Sequence, residues 1–221
     1  MKLQQYFKKG FYLIVFAYFS LSNAGSYDDF FVALQQDDPK AVGQLLERGF
    51  DPNTPDPAGQ HGLLVALRAK AYRAAEMLAA ARQTKVETRT SADESPLMLA
   101  ALAGEAGLCR VLIERDADVN KPGWTALHYA ATNGHLTVMQ LLLDHDAYID
   151  AESPNATTPL MMAAGYGTPS AVKLLLEAGA DPTLKNMQGL SAFDFAQRAN
   201  RQDSSEIIVA FIRGRQPKGT W

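Results

Sequence analysis

The sequence predicts an all-α fold, a solenoid of about six stacked helix–turn–helix units, and three columns of residues predict it. Counted from Leu127, apolar equivalents fall at Phe30, Leu63, Leu97, Leu160 and Phe193, at successive spacings of 33, 34, 30, 33 and 33 residues. Three residues after each stands an alanine: Ala33, Ala66, Ala100, Ala130, Ala163 and Ala196. Fifteen after each stands an aliphatic: Leu45, Leu78, Leu112, Leu142, Leu175 and Ile208. Self-similarity at such a period marks a repeat array. A helix pair this short cannot bury its apolar face alone, so each unit depends on its neighbours.

Within a unit the elements follow in order. A proline or its substitute opens the first helix, where the missing N–H costs nothing and the fixed φ helps. Thr125, Thr158, Ser95 and Ser191 stand just before that turn, where a hydroxyl caps free backbone N–H groups. The alanine column lets neighbouring first helices approach closely. Gly104, Gly134 and Gly167 are expected to end those helices by adopting left-handed φ. Apolar triplets such as Leu141-Leu142-Leu143 then fit a second helix buried between units.

The segment Gly123-Trp124-Thr125-Ala126-Leu127-His128-Tyr129-Ala130-Ala131 nearly meets the pattern Gly-x-Thr-Pro-Leu-His-x-Ala-Ala. Thr158-Pro159-Leu160 and Ser95-Pro96-Leu97 are further copies, and Leu174-Leu175-Leu176-Glu177-Ala178-Gly179-Ala180-Asp181 matches a second-helix ending. In these motifs the chain resembles the ankyrin-repeat family, over about residues 27 to 213. The resemblance implies short β-hairpin fingers between units, polar first and last units acting as caps, and His128 as a hydrogen-bonding staple between adjacent loops. The first unit carries Gln35, Gln36, Asp37 and Asp38, and the last carries Asp194, Gln197, Arg198, Asn200 and Arg201, as outward-facing caps should. The second unit, residues 59 to 82, lacks the family's Thr-Pro-Leu-His and final glycine. Three residues are missing between the third and fourth units, where Asp118-Val119-Asn120 runs through Lys121-Pro122 into Gly123-Trp124, so that finger is expected to be short. The repeat domain is expected over 25–213, with a flexible tail over 214–221.

The chain has 221 residues, 47% hydrophobic and 20% charged, which excludes a disordered or collagenous protein. Residues 1–24 read as a secretory signal peptide. Lys2, Lys8 and Lys9 supply its positive region, Phe11 to Leu21 its apolar stretch, and Ser22-Asn23-Ala24 a cleavage site. An uncleaved anchor is the alternative, but the apolar run is about half of the roughly 20 residues that span a bilayer. Cleavage after Ala24 implies a periplasmic or secreted protein, with a short leader that suits bacterial export. Without those three lysines, 18 basic residues face 24 acidic ones, a balance unsuited to nucleic acid.

No catalytic, cofactor or metal site is expected. His61, His128, His135 and His145 fit no ligand spacing such as HExxH. Asp116-Ala117-Asp118-Val119-Asn120 suggests a calcium loop, but Lys121 and Ala126 stand where its Gly and Glu belong. The single cysteine, Cys109, lies in an apolar stretch and reads as core. Nucleophile-elbow, P-loop and dinucleotide-binding glycine patterns are absent from the sequence. Asn155-Ala156-Thr157 fits a glycosylation acceptor, useful only in a eukaryotic host.

The resemblance implies protein binding as the function, by a chain expected to be monomeric alone. The family's variable positions, carried across unit by unit, give Tyr27, Gln35 and Gln36; Gln60 and Arg68; Glu94 and Leu102; Trp124, Thr132, Asn133, Thr157 and Tyr166; and Leu190 and Arg198. Trp124 beside the short finger, with Tyr166 one unit on, would form an aromatic anchor on the concave face, since such rings bury large area at little rotamer cost. The alternative is that Trp124 packs on the neighbouring finger. Met98, Met161 and Met162 read either as an adaptable patch or as core. An adaptor or stabilising partner of an envelope protein is the leading role; an immunity protein inhibiting a toxin and a self-associating envelope protein are the alternatives.

Overall fold

The computed structural model describes residues 25–215. The expected leader and residues 216–221 of the expected tail lie outside the described residues. The chain forms two compact units, divided between Thr84 and Lys85.

The first unit holds α1 (25–35), α2 (Pro39–Glu47), α3 (Gly62–Arg68) and α4 (Tyr72–Ala80). Phe30, Leu34, Val42, Leu63 and Leu78 are fully buried in it. Phe30 packs on Phe50 at 4.6 Å and edge-on to Phe31 at 5.1 Å, which gives the end unit a large aromatic core. A Cβ on Gly62 would stand 2.9 Å from the Phe30 ring, so this glycine is what lets α3 approach α1. The Asp37 carboxylate accepts from the backbone N–H of Ala74 at 2.8 Å and from Arg73 Nε at 2.9 Å, tying the α1–α2 turn to α4.

The second unit holds α5 (Pro96–Ala103), α6 (Ala106–Glu114), α7 (Ala126–Asn133), α8 (Leu136–Asp144), α9 (Pro159–Gly165), α10 (Pro169–Ala178), α11 (Ala192–Arg198) and α12 (Gln202–Arg215). First helices α5, α7, α9 and α11 pack side by side in one row, and α6, α8, α10 and α12 back them in a second. The three columns explain the row: every member is buried except Phe193, which lines an outer groove between α11 and α12. Prolines open α2, α5, α9 and α10. Ser95, Thr158 and Ser191 cap the N–H groups of Met98, Met161 and Asp194. α12 ends at Arg215, two residues into the expected tail.

Gly104 and Gly134 end α5 and α7 with φ of 79° and 69°, as expected. Gly167 corrects the third expectation, because it is not in the left-handed region. It is required for space: a Cβ there would stand 2.3 Å from the Ala131 carbonyl oxygen.

The expected fingers take the form of single turns. Backbone N–H groups of Asp56, Thr90, Ser153 and Asn186 each donate to the carbonyl four residues on, at 2.9 to 3.0 Å. Among the described residues no strand forms, and one isolated bridge joins Pro55 and His61. Asn120 and Asp150, side chains at one repeat position, accept from the backbone N–H of Tyr148 and Asp181 in the following repeat, and Glu87 accepts likewise from Asp118. Each repeat thus holds the next through backbone that would otherwise lack a protein partner.

Candidate functional site

The short finger fixes the centre of the second unit. Between Lys121 and Trp124 there is no room for the turn that closes the other fingers. Lys121 folds inward instead, its side chain 8% exposed, and its Nζ meets Asp93 Oδ2 at 2.5 Å and donates to the Pro122 carbonyl at 3.0 Å. The carboxyl of Asp93 is held below its ordinary range chiefly by this hydrogen bond. Arg89 pairs in turn with Glu87 and reaches Asp93 at 3.6 Å, so the shortened loop is tied down by a chain of charges.

Trp124 leaves this loop immediately before α7 and stands half-buried, edge-on to the His128 ring with centroids 5.1 Å apart. His128 is fully buried. Its Nε2 lies 2.9 Å from the Thr157 carbonyl, which can only accept, so that nitrogen carries the proton. Nδ1 then accepts from the Thr125 backbone N–H at 3.2 Å, with the Thr125 hydroxyl at 2.9 Å. Burial pushes the imidazole down to about 4, against the opposing pull of the Thr157 and Ala151 backbone. His128 is therefore a neutral staple from α7 to the next finger.

The Trp124 ring forms one wall of a groove of about 610 Å³, whose other lining residues include Thr157, Met162, Tyr166, Leu190, Phe195 and Arg198. Five expected residues, Trp124, Thr157, Tyr166, Leu190 and Arg198, thus lie along one groove. Tyr166 stands at its mouth, 58% exposed. Thr157 is buried, and its carbonyl serves the staple. Arg198, on the last turn of α11, is exposed and makes no ion pair among the described residues. One oxygen of the nearby Asp194 carboxylate, Oδ2, accepts from the backbone N–H and hydroxyl of Ser191 at 2.8 and 2.6 Å, and these bonds, with the charges of Lys185 and Arg198, hold the carboxyl below its ordinary range.

The remaining expected residues do not line this groove. Glu94 accepts from the Tyr129 hydroxyl at 3.1 Å, and Asn133 donates to the Leu102 carbonyl at 2.8 Å. The Thr132 hydroxyl donates to the His128 carbonyl at 2.8 Å. Tyr27, Gln60 and Arg68 belong to the first unit, where Tyr27 donates to the Pro55 carbonyl at 3.2 Å and Arg68 to the Gln60 side chain. Gln35 and Gln36 are exposed there.

Of the large apolar lining residues, Phe195 is not among the expected contacts, and Met162, expected either in an adaptable patch or in the core, lines the groove. Each stands two positions after its repeat's member of the first column, Leu160 or Phe193, where Tyr129 is the equivalent. A large apolar or aromatic side chain recurring at that position is the signal in the sequence that could have found them. Met98 and Met161, by contrast, are core, with their sulfurs 3.4 Å from the Ser95 and Thr158 backbone N–H groups.

Cys109 is fully buried in α6, and burial, with Glu105 nearby, pushes its thiol up to about 12, away from nucleophilic use. Among the described residues no three His, Cys, Asp or Glu side chains gather as a metal site, and no helix is long and apolar enough to cross a membrane. His61 caps α3 and meets Asn53 at 3.0 Å, while His135 lies 3.0 Å from the Leu102 carbonyl.

A family profile described as ankyrin repeats in three copies matches residues 30–122, 63–153 and 118–186. The putative ankyrin repeat protein YahD of Escherichia coli strain K12 is 26% identical over 191 residues, covering 82% of this chain and 94% of that one. The mouse B-cell lymphoma 3 protein homolog is 30% identical over 80% of this chain, which spans 40% of its length. The mouse ankyrin repeat and SAM domain-containing protein 6 is 40% identical over 65% of this chain, and this chain spans 17% of it.

Proposed function

Because the chain belongs to the ankyrin-repeat family, we propose that it acts as a non-enzymatic adaptor or stabilising partner of an envelope protein in the periplasm, holding that protein in the Trp124 groove. Ankyrin repeats are protein–protein interaction modules, and it is the site rather than the fold that selects a partner. The observation that carries the reading is the groove itself: Trp124, Tyr166, Leu190 and Arg198 line one cleft of about 610 Å³. Trp124 is braced on one side by His128, so its burial by a partner costs little side-chain entropy. The secretory leader expected over residues 1–24 is what supports the periplasmic assignment.

The test is affinity capture from the periplasmic fraction of the native host, with residues 25–221 as bait and Trp124→Ala/Tyr166→Ala as control. The expected result is a stoichiometric partner that the double variant loses while its melting temperature stays near that of the parent. A partner indifferent to the double change, or none, overturns the groove as the site. Assay of the captured protein bound and free then divides the roles: unchanged activity fits an adaptor, and blocked activity an immunity protein.

A further inference from the structure

We propose that the groove takes an extended peptide segment carrying an aromatic or long aliphatic side chain close to a carboxylate, with the apolar group between Trp124 and Phe195 and the carboxylate on Arg198. The inference rests on the groove being the partner site and adds the chemistry of what enters it.

Three observations carry it. The walls are Trp124, Met162 and Phe195, two rings and a thioether, which match a large apolar side chain and would strip it of water. Part of the groove's hydrogen-bonding capacity is consumed by the finger: Asn186 Oδ1 accepts from the backbone N–H groups of Gln188 and Leu190 at 3.0 Å, and Asn155 Oδ1 from the Ser153 hydroxyl at 2.6 Å. Arg198 is the single charged lining residue, exposed and without an ion pair among the described residues; Asp194, one turn before it on α11, is anchored through Oδ2 by Ser191 and lies outside the lining, although the Arg198 charge is felt at its carboxyl. A guanidinium beside an apolar wall favours a planar carboxylate in bidentate contact, whereas a cationic segment meets repulsion there with no acid in the lining to offset it. The chain as a whole is acidic, with net charge −3, so anions are not drawn to it generally. Any preference for acid is local to Arg198.

The experiment selects octapeptides from a displayed random library on residues 25–221, on the parent and on Arg198→Glu and Arg198→Gln. Trp221→Phe in all three leaves Trp124 as the sole tryptophan, and its fluorescence reports binding of the enriched peptides as capped synthetic octamers. Arg198 is exposed, so both variants are expected to fold, which circular dichroism checks. The expected result is enrichment of Phe, Trp, Leu or Met near Asp or Glu. Exchanging that acid for Lys then weakens binding by about tenfold or more, Arg198→Gln abolishes the preference and Arg198→Glu inverts it. Enriched peptides without an acid, an acid preference that survives Arg198→Glu, or no enrichment at all overturns the proposal. If the captured protein still depends on Trp124 and Tyr166 in those cases, the groove stands and only its stated chemistry falls; if that dependence is also missing, both fall.

Discussion

The repeats begun by α7 and α9 are adjacent copies of one plan, and they differ in how each is held to its neighbour. In the α7 repeat the finger is three residues short and borrows an anchor from the preceding finger, Lys121 to Asp93. In the α9 repeat the finger closes on itself, with Ser153 N–H on the Thr157 carbonyl and the Ser153 hydroxyl accepting from Thr157 N–H, both at 3.0 Å. The residue that follows the first-column leucine is His128 in one and Met161 in the other. Both cover the start of their helix, but only the imidazole also reaches the following finger. Helix α7 ends in a left-handed glycine, whereas α9 ends at Gly165 and is followed, after Tyr166, by Gly167, squeezed against a carbonyl. One period in sequence therefore supports two mechanical solutions for the finger and the helix end. In one repeat an ammonium and an imidazole pin the finger. In the other the finger closes on itself and the helix end packs on the preceding helix, with Arg201 clasping the Gly167 and Tyr166 carbonyls at 2.8 and 3.1 Å.

The glycine difference gives the largest expected effect. Gly167→Ala sets a Cβ against backbone, 2.3 Å from the Ala131 oxygen, and neither helix can yield without repacking. A loss of about 3 kcal/mol or more is expected. In Gly134→Ala the obstacle is the Thr168 side chain at 2.6 Å, and the φ of 69° adds strain, for about 2 kcal/mol. Urea unfolding of both variants measures the order. Equal losses would mean that α9 can shift away from α7, and that close packing is not what holds this repeat.

The imidazole gives the next. Unfolded, His128 titrates near 6.5; buried, it is pushed down to about 4. Between these values only the unfolded chain binds the proton, so the contribution is complete above pH 6.5 and lost as pH falls. The loss reaches roughly 3 kcal/mol by pH 4. His128→Met gives this repeat its neighbour's residue. It is expected to cost about 1 kcal/mol at neutral pH, because the Thr157 carbonyl keeps the Ser153 N–H. The variant should lose stability less steeply on acidification, and denaturant midpoints from pH 7.5 to 4 provide the check. Parallel profiles would show that the ring is protonated without opening the staple.

Much of this is legible in the sequence. The columns at Leu127, Ala130 and Leu142 locate the helices because burial between repeats demands the same residue type at the same place each time. The short finger is equally plain from three missing residues. At Gly167 the expectation fails because sequence does not separate a glycine needed for its φ from one needed for its missing Cβ. At the groove, Trp124, Tyr166, Leu190 and Arg198 follow from the family's variable positions, while the sequence leaves Met162 divided between patch and core and does not single out Phe195. Half-buried apolar side chains at a regular spacing look like core until the row of first helices leaves one side of them open. That Arg198 makes no ion pair among the described residues, although Asp194 stands one turn before it with Oδ2 on Ser191, is a matter of rotamers that no spacing reveals.

The smallest effect is expected at the short finger, where charge does the holding. The Lys121 ammonium is largely removed from water, whereas Asp93 is 67% exposed. Lys121→Met removes a charge that is costly to bury and leaves Asp93 free to be hydrated, so stability should stay within about 1 kcal/mol of the parent. Asp93→Asn does the reverse: it strands the ammonium beside the Pro122 carbonyl, while asparagine still tolerates the φ of 61° that Asp93 adopts. The asparagine change should therefore lower the melting temperature more than the lysine change, although it is the exposed partner that is altered. The reverse order would mean that Lys121 swings out to solvent when released, and that loop length rather than charge sets the shape of the finger beside Trp124.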